Sequence, residues 1–393
     1  MARLDRTAAP SSRAVPSFGV RCANAQVHGR AASTLLRLLY FAGCPLRRPA
    51  ARGSFRAVRV ALCAVMTDSD SVTFRAAYQQ LPVVVSSIGL SIDIAPDCST
   101  TVRSSLCFAL RAGCSIPSAG LLLHGRSDVH LVSLSVNGRA PPPETYAVSK
   151  DGLHLSHLCL LDRCDCTEWV VDISVTIRPQ DNTQLEGLYA SGGVICSQCE
   201  PEGFRSITYF FDRPDVMCTW RVRIEADKVL HPVLLSNGNL TASGALGGRH
   251  FVEWFDPFPK PSYLFAVVAG NLALTADHFT TQSGRLVSLR VWTQDADRGK
   301  VTHALRSLAK AMKWDEDTFG LEYDLDVFNI VAVDDFNMGA MENKSLNIFN
   351  TRLILCTPQT ATDCDFADVE SVVAHEYFHN WSESCLHARW LWV

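Results

Sequence analysis

The chain has 393 residues, of which 47% are hydrophobic and 19% charged, with 23 Gly and 18 Pro. This composition excludes a collagen, a coiled coil and a wholly disordered chain, and the length predicts two or three domains with a sizeable core. The formal charge of −4 joins a basic leader to an acidic body, which argues against phosphate-backbone binding, so no nucleic-acid partner is expected.

Residues 1–66 hold eleven Arg, no Lys and one acid, Asp5, a net charge of +10 that leaves −14 on the rest. Rich in Arg, Ala and Ser and without one apolar core segment, they read as a transit peptide for a mitochondrion or chloroplast, with Arg30 to Leu39 as a short basic amphipathic stretch. The plain alternative is a disordered tail or a mispredicted upstream reading frame on an otherwise cytoplasmic protein. No membrane span is expected, because the longest leucine-rich piece, Leu35 to Ala42, is short and broken by Arg37.

From residue 72 to about 271 the pattern is strand-like. Val83 to Ile94, His130 to Val136, Trp169 to Ile177 and Trp220 to Ala226 alternate apolar and polar residues with period two. Asn237-Gly238 predicts a two-residue hairpin between Val233–Leu235 and a strand near Phe251–Trp254. Near residue 272 the texture changes. A strand is expected over Leu286 to Thr293, then a helix over Lys300 to Met312 from the spacing of Val301, Ala304, Leu305, Leu308 and Met312. Strands follow at Val327 to Val333 and near Leu346 to Leu355. A last helix, with Asp363 and Asp365 as candidate N-caps, runs through at least His379. The predicted organisation is a leader (1–66), a β-rich domain (67–271) and a mixed domain (272–393).

Fifteen Cys are scattered over a chain large enough to need no stapling. Cys196 and Cys199 form a lone CxxC and Cys164 and Cys166 a CxC. No second pair closes a four-ligand set, so buried free thiols are expected rather than a zinc knuckle.

The last predicted helix contains the HExxH pattern, His375-Glu376-Tyr377-Phe378-His379. At about 100° per residue, the two histidines lie about 40° apart on one face and about 6 Å apart along the axis. Their imidazoles are spaced to grip one zinc ion, and Glu376 lies beside them, placed to act as general base on a zinc-bound water. The alternative for a bare pentapeptide is two histidines on a polar helix face. A second motif lies 32 residues upstream, Met338-Gly339-Ala340-Met341-Glu342-Asn343.

GAMEN followed by HExxH at this separation resembles the zinc aminopeptidases of the aminopeptidase N family, in particular its bacterial-type alanyl aminopeptidase branch. Leu185 to Tyr189, Gln198 to Arg205, Tyr209 to Asp215, Leu235 to Asn239, Asp256 to Pro261 and Met312 to Glu316 look like the same family, over roughly residues 72 to 381. The resemblance implies an α+β chain: a β-rich, saddle-like N-terminal domain, then a truncated thermolysin-like α/β catalytic domain. It implies one Zn2+ per chain, held by His375 and His379, and peptide substrates with a free N-terminus. Glu342, with Glu200 and Gln198, is implied to hold the α-ammonium. The backbone of Gly339 and Ala340 would bind substrate as an extended strand, with Met338 lining the first side-chain pocket and Met341 and Asn343 completing the segment. The family's third zinc ligand, a Glu nineteen residues past the second His, would be position 398, and the resemblance fades after Trp381. Glu383, Cys385 or His387 would have to fold back to substitute. The alternative reading is therefore an inactive fragment, or a peptide-binding module that lacks the third ligand.

Overall fold

A computed structural model describes residues 78–161 and 167–382; of Leu161 only the backbone is described. The predicted leader, the Cys164/Cys166 pair and the tail carrying Glu383, Cys385 and His387 lie outside the described residues. The first part of the described chain is strand-rich. A seven-stranded sheet has the spatial order 239–246, 249–260, 218–227, 83–94, 100–110, 168–177, 130–136. Val83–Ile94 alternates buried and solvent-facing residues along its length, so one face of the sheet covers a core and the other meets water. Beneath the buried face Phe204, Phe210, Trp220 and Phe265 pack edge-on, tilted or stacked, with ring centroids 5.2–5.7 Å apart. A four-stranded sheet, ordered 233–236, 267–270, 194–198, 187–191, adjoins this core.

The strand Ala273–Thr280 opens a five-stranded sheet ordered 273–280, 286–293, 327–333, 346–350, 340–341. Val327–Val333 is buried at every residue and runs parallel to both neighbours, as expected of a strand covered on both faces. Three α-helices occur among the described residues: the single-turn α1 (His157–Leu161), α2 (Thr302–Phe319) and α3 (Asp363–Ser382). Leu305, Leu308 and Met312 of α2 and Val369, Val373 and Tyr377 of α3 share one apolar core with Phe328 and Ile330 of the sheet. The architecture is thus a strand-rich front part followed by a smaller helical region.

Several sequence expectations are corrected. Asn237-Gly238 is not a hairpin turn: Val233–Ser236 pairs with 267–270, whereas Asn239–Leu246 pairs with 249–260. The chain changes sheets there because the buried Asn237 amide is consumed by the interior. It donates to Leu264 O (3.1 Å) and Lys344 O (2.8 Å) and accepts from Ala266 N (2.8 Å). Gly238, at φ +89°, presses against Phe255, whose carbonyl oxygen would lie 2.1 Å from any Cβ. Helix α2 runs seven residues past Met312 because Asp315 and Glu316 take buried positions that hydrophobic spacing cannot register, and it stops at Gly320 in the left-handed conformation. The strand expected to reach Leu355 ends at Asn350, whose side chain accepts from Arg352 N and starts a 3₁₀ turn. The N-cap of α3 is Thr362 rather than Asp363 or Asp365. Asp365 N donates to Thr362 Oγ1 (3.3 Å), and Asp365 Oδ2 accepts in return from Thr362 N (2.7 Å), a reciprocal capping box.

Candidate active site

Helix α3 buries Val369, Val373 and Tyr377 and turns His375 and His379 toward the end of the five-stranded sheet. Their Nε2 atoms are 3.0 Å apart, with rings at 81°. Two nitrogens bound tetrahedrally to one zinc at about 2.0–2.1 Å would be about 3.3 Å apart, so this pair fits such an ion with little adjustment. The same backbone that spaces the pair by one helical turn places Glu376, only 7% exposed, beside them.

The second wall is the short strand Ala340–Met341 at the edge of the sheet, paired antiparallel with Ile348 and Phe349. The preceding loop is tied to the strand-rich part: Ser191 Oγ donates to Asp335 Oδ2 (2.7 Å), Tyr189 Oη to Asp335 O (3.0 Å) and Asn337 Nδ2 to Gln184 O (2.9 Å). Gly339 accepts through its carbonyl from Asn350 N (3.0 Å), and a Cβ there would lie 2.9 Å from Leu353 Cδ1. Met338 is exposed, whereas Met341 and Asn343 are fully buried.

Glu342, Glu376 and His379 converge, each offering a ligand atom within 4.8 Å of the others. Gln198, on the four-stranded sheet, reaches the same place: its Nε2 donates to Met341 Sδ (3.6 Å) and Glu200 O (3.3 Å). Gln198 Oε1 and both amide atoms of Asn343 are buried without a hydrogen-bond partner among the described residues, polar groups whose desolvation nothing in the described structure offsets. The electrostatics point the same way. Burial, then the Glu342 carboxylate and more weakly Glu200, push the Glu376 carboxyl up to about 8, against the opposing pull of His379. Burial, with His379 beside it, lowers the His375 pKa. A buried carboxyl facing a second carboxylate and an imidazole is a site that a cation would relieve.

The structure therefore gathers His375, Glu376, His379, Glu342, Met341 and Gln198, with Glu200 near enough to act on Glu376, while Met338 stands at the rim. Sequence reasoning passed over Lys344, Asp324, Asn380 and Asp335. The available signal was a lysine two residues ahead of Leu346, at the start of a strand carrying Ile348 and Phe349, where a solvated charge has no place. Cys196 and Cys199 lie buried as free thiols, burial pushing the Cys196 thiol up to about 12.

Residues 165–264 match the Peptidase M1 N-terminal domain and residues 303–392 the Peptidase family M1 domain. The chain is 50% identical over 324 residues to aminopeptidase N of Caulobacter vibrioides, covering 82% of this chain and 36% of that protein. It is 46% identical over 318 residues to aminopeptidase N of Escherichia coli, covering 81% and 35%. Among solved structures, a Legionella pneumophila aminopeptidase A in complex with aspartic acid superposes with a TM-score of 0.73 at 35% identity, over 78% of this chain and 35% of that one. The chain thus spans about a third of the length of the relatives it matches. Among the described residues, no helix is long and apolar enough to cross a membrane.

Proposed function

This chain belongs to peptidase family M1 through both of its matched domains, and from that premise we propose that it removes N-terminal residues from peptides by zinc-dependent hydrolysis. The observation that carries the reading is the convergence of Glu342 with Glu376 and His379 of α3, where His379 pairs with His375 at metal-ligand spacing. His375 and His379 would hold the zinc, which when bound polarises a carbonyl and acidifies water.

The chain's own residues do the rest. Ala340–Met341 is an edge strand with a partner on one side only among the described residues, so a substrate can add to it as an extended strand. Glu342 and Glu200, with Gln198, hold the α-ammonium. An acetylated or internal peptide brings no positive charge and leaves these carboxylates uncompensated, which is the basis of selection for a free N-terminus. A cation in the cluster lowers the raised Glu376 pKa, freeing the carboxylate to accept a proton and then deliver it to the leaving amine. In the non-catalytic alternative, the same pocket holds a peptide N-terminus without cleaving it. The neutral Glu376 carboxyl, held protonated up to about pH 8, favours that reading for metal-free protein. The basic leader, residues 1–66, would direct the chain to a mitochondrion or chloroplast.

The test compares leucine p-nitroanilide with its N-acetylated form in the zinc-loaded protein. Binding and cleavage of the free amine alone, with cleavage lost in Glu376→Gln and amine selectivity lost in Glu342→Gln, is the expected result. Equal handling of the acetylated compound overturns the reading.

A further inference from the structure

We propose that Lys344 is a positioning residue for this site, a buried ammonium that holds the amine-anchoring edge strand and the histidine-bearing helix at one fixed separation. The inference rests on the aminopeptidase reading above and assigns the job to a residue in neither motif. Lys344 lies two residues past Glu342, and its side chain is wholly buried. Its ammonium donates to Asp324 Oδ2 (2.6 Å) and Asn380 Oδ1 (3.0 Å), while Asn380 Nδ2 donates to Asp324 Oδ1 (3.4 Å). The three side chains close a ring. Asn380 directly follows His379 on α3, and the Phe258 ring lies 4.6 Å from the ammonium.

The backbone of the same segment is tied in another direction. Lys344 O accepts from Asn237 Nδ2 (2.8 Å) and Ser345 Oγ from Gly238 N (2.7 Å). One short stretch is therefore joined through its main chain to the strand-rich part and through its ammonium to the end of α3. A buried ion pair returns little net stability over packed apolar side chains of similar volume. What the ring adds is direction, since two acceptors on different elements fix where α3 ends relative to Glu342. That distance matters because one substrate end must meet both the amine anchor and the metal, and a misplacement of about 1 Å can cost about a hundredfold in rate.

The experiment uses the full 393-residue chain carrying Lys344→Met, Asn380→Leu or both. Zinc affinity is measured by chelator competition, and then the affinities of leucine hydroxamate, which spans anchor and metal, and acetohydroxamate, which meets the metal alone. Each variant should weaken leucine hydroxamate at least about tenfold while changing acetohydroxamate and zinc by less than about twofold. The double variant should be no worse than either single one, because both break one ring. A purely structural role would weaken both hydroxamates alike, and that result, or no change, overturns the inference. If wild-type protein binds leucine hydroxamate no better than acetohydroxamate, the aminopeptidase reading is what fails. The inference is then decided on metal-free protein by hydrogen exchange. Lys344→Met should speed exchange of amides 377–382 and leave 327–333 unchanged, and unaltered exchange at 377–382 refutes it.

Discussion

Replacing Glu376 with Gln should stabilise the metal-free protein, and do so in a pH-dependent way. The folded-state carboxyl is raised from 4.5 to about 8, chiefly by burial and next by Glu342. Between those values the folded chain holds a proton that the unfolded chain releases, so folding stability falls as pH rises from about 5 to about 8 and stays low above it. At about 1.4 kcal/mol per pH unit, the carboxylate costs of the order of 3 kcal/mol at pH 7 and of the order of 5 kcal/mol above pH 8. An amide titrates nowhere in this range and removes the slope. Urea denaturation in the presence of a chelator, at half-unit steps from pH 5 to 9, gives the two curves. Wild type and Glu376→Gln should nearly coincide near pH 5 and separate progressively to pH 8. Parallel curves across that interval would falsify the claim that a desolvated, carboxylate-rich site keeps Glu376 protonated. Glu342→Gln should end the wild-type decline at a lower pH, since it removes the second cause.

Three further outcomes are expected. Asn237→Ala strips three buried backbone groups of their partner and should cost about 2–4 kcal/mol by urea denaturation; a change below about 0.5 kcal/mol contradicts the account of the sheet crossing. Asp256→Asn leaves the fully buried Lys260 ammonium, 3.0 Å away, without its counter-charge and should cost about 3–5 kcal/mol, whereas replacing both residues with apolar ones should be nearly neutral. Residues 1–66 fused to a fluorescent protein should carry it into a mitochondrion or chloroplast; diffuse cytoplasmic fluorescence argues against a transit peptide.

What was legible in the sequence was local. Val83–Ile94 and Leu286–Thr293 were recognisable because a half-buried strand writes its burial as alternation, and Val327–Val333 because a doubly covered strand is apolar throughout. The HExxH helix was legible because two histidines four residues apart share one helix face at a fixed spacing, and GAMEN because it is a contiguous string. What escaped depended on partners far along the chain. Asn237-Gly238 carries the composition of a hairpin, yet its amide bonds reach Leu264, Ala266 and Lys344, and these long-range demands outweigh turn propensity. The Lys344–Asp324–Asn380 ring spans 56 residues and leaves no periodic trace. Gln198 meets Met341 across 143 residues; the family resemblance implied Gln198 near Glu342, and the residues themselves gave no sign of either.

The most direct measurement is a zinc titration of the purified chain at pH 7.5 against a chromophoric chelator, with His375→Ala and His379→Ala beside wild type. The account predicts an endpoint of one zinc per wild-type chain that each substitution abolishes. An endpoint absent from wild type, or unchanged by either substitution, contradicts the assignment of this histidine pair as the metal site.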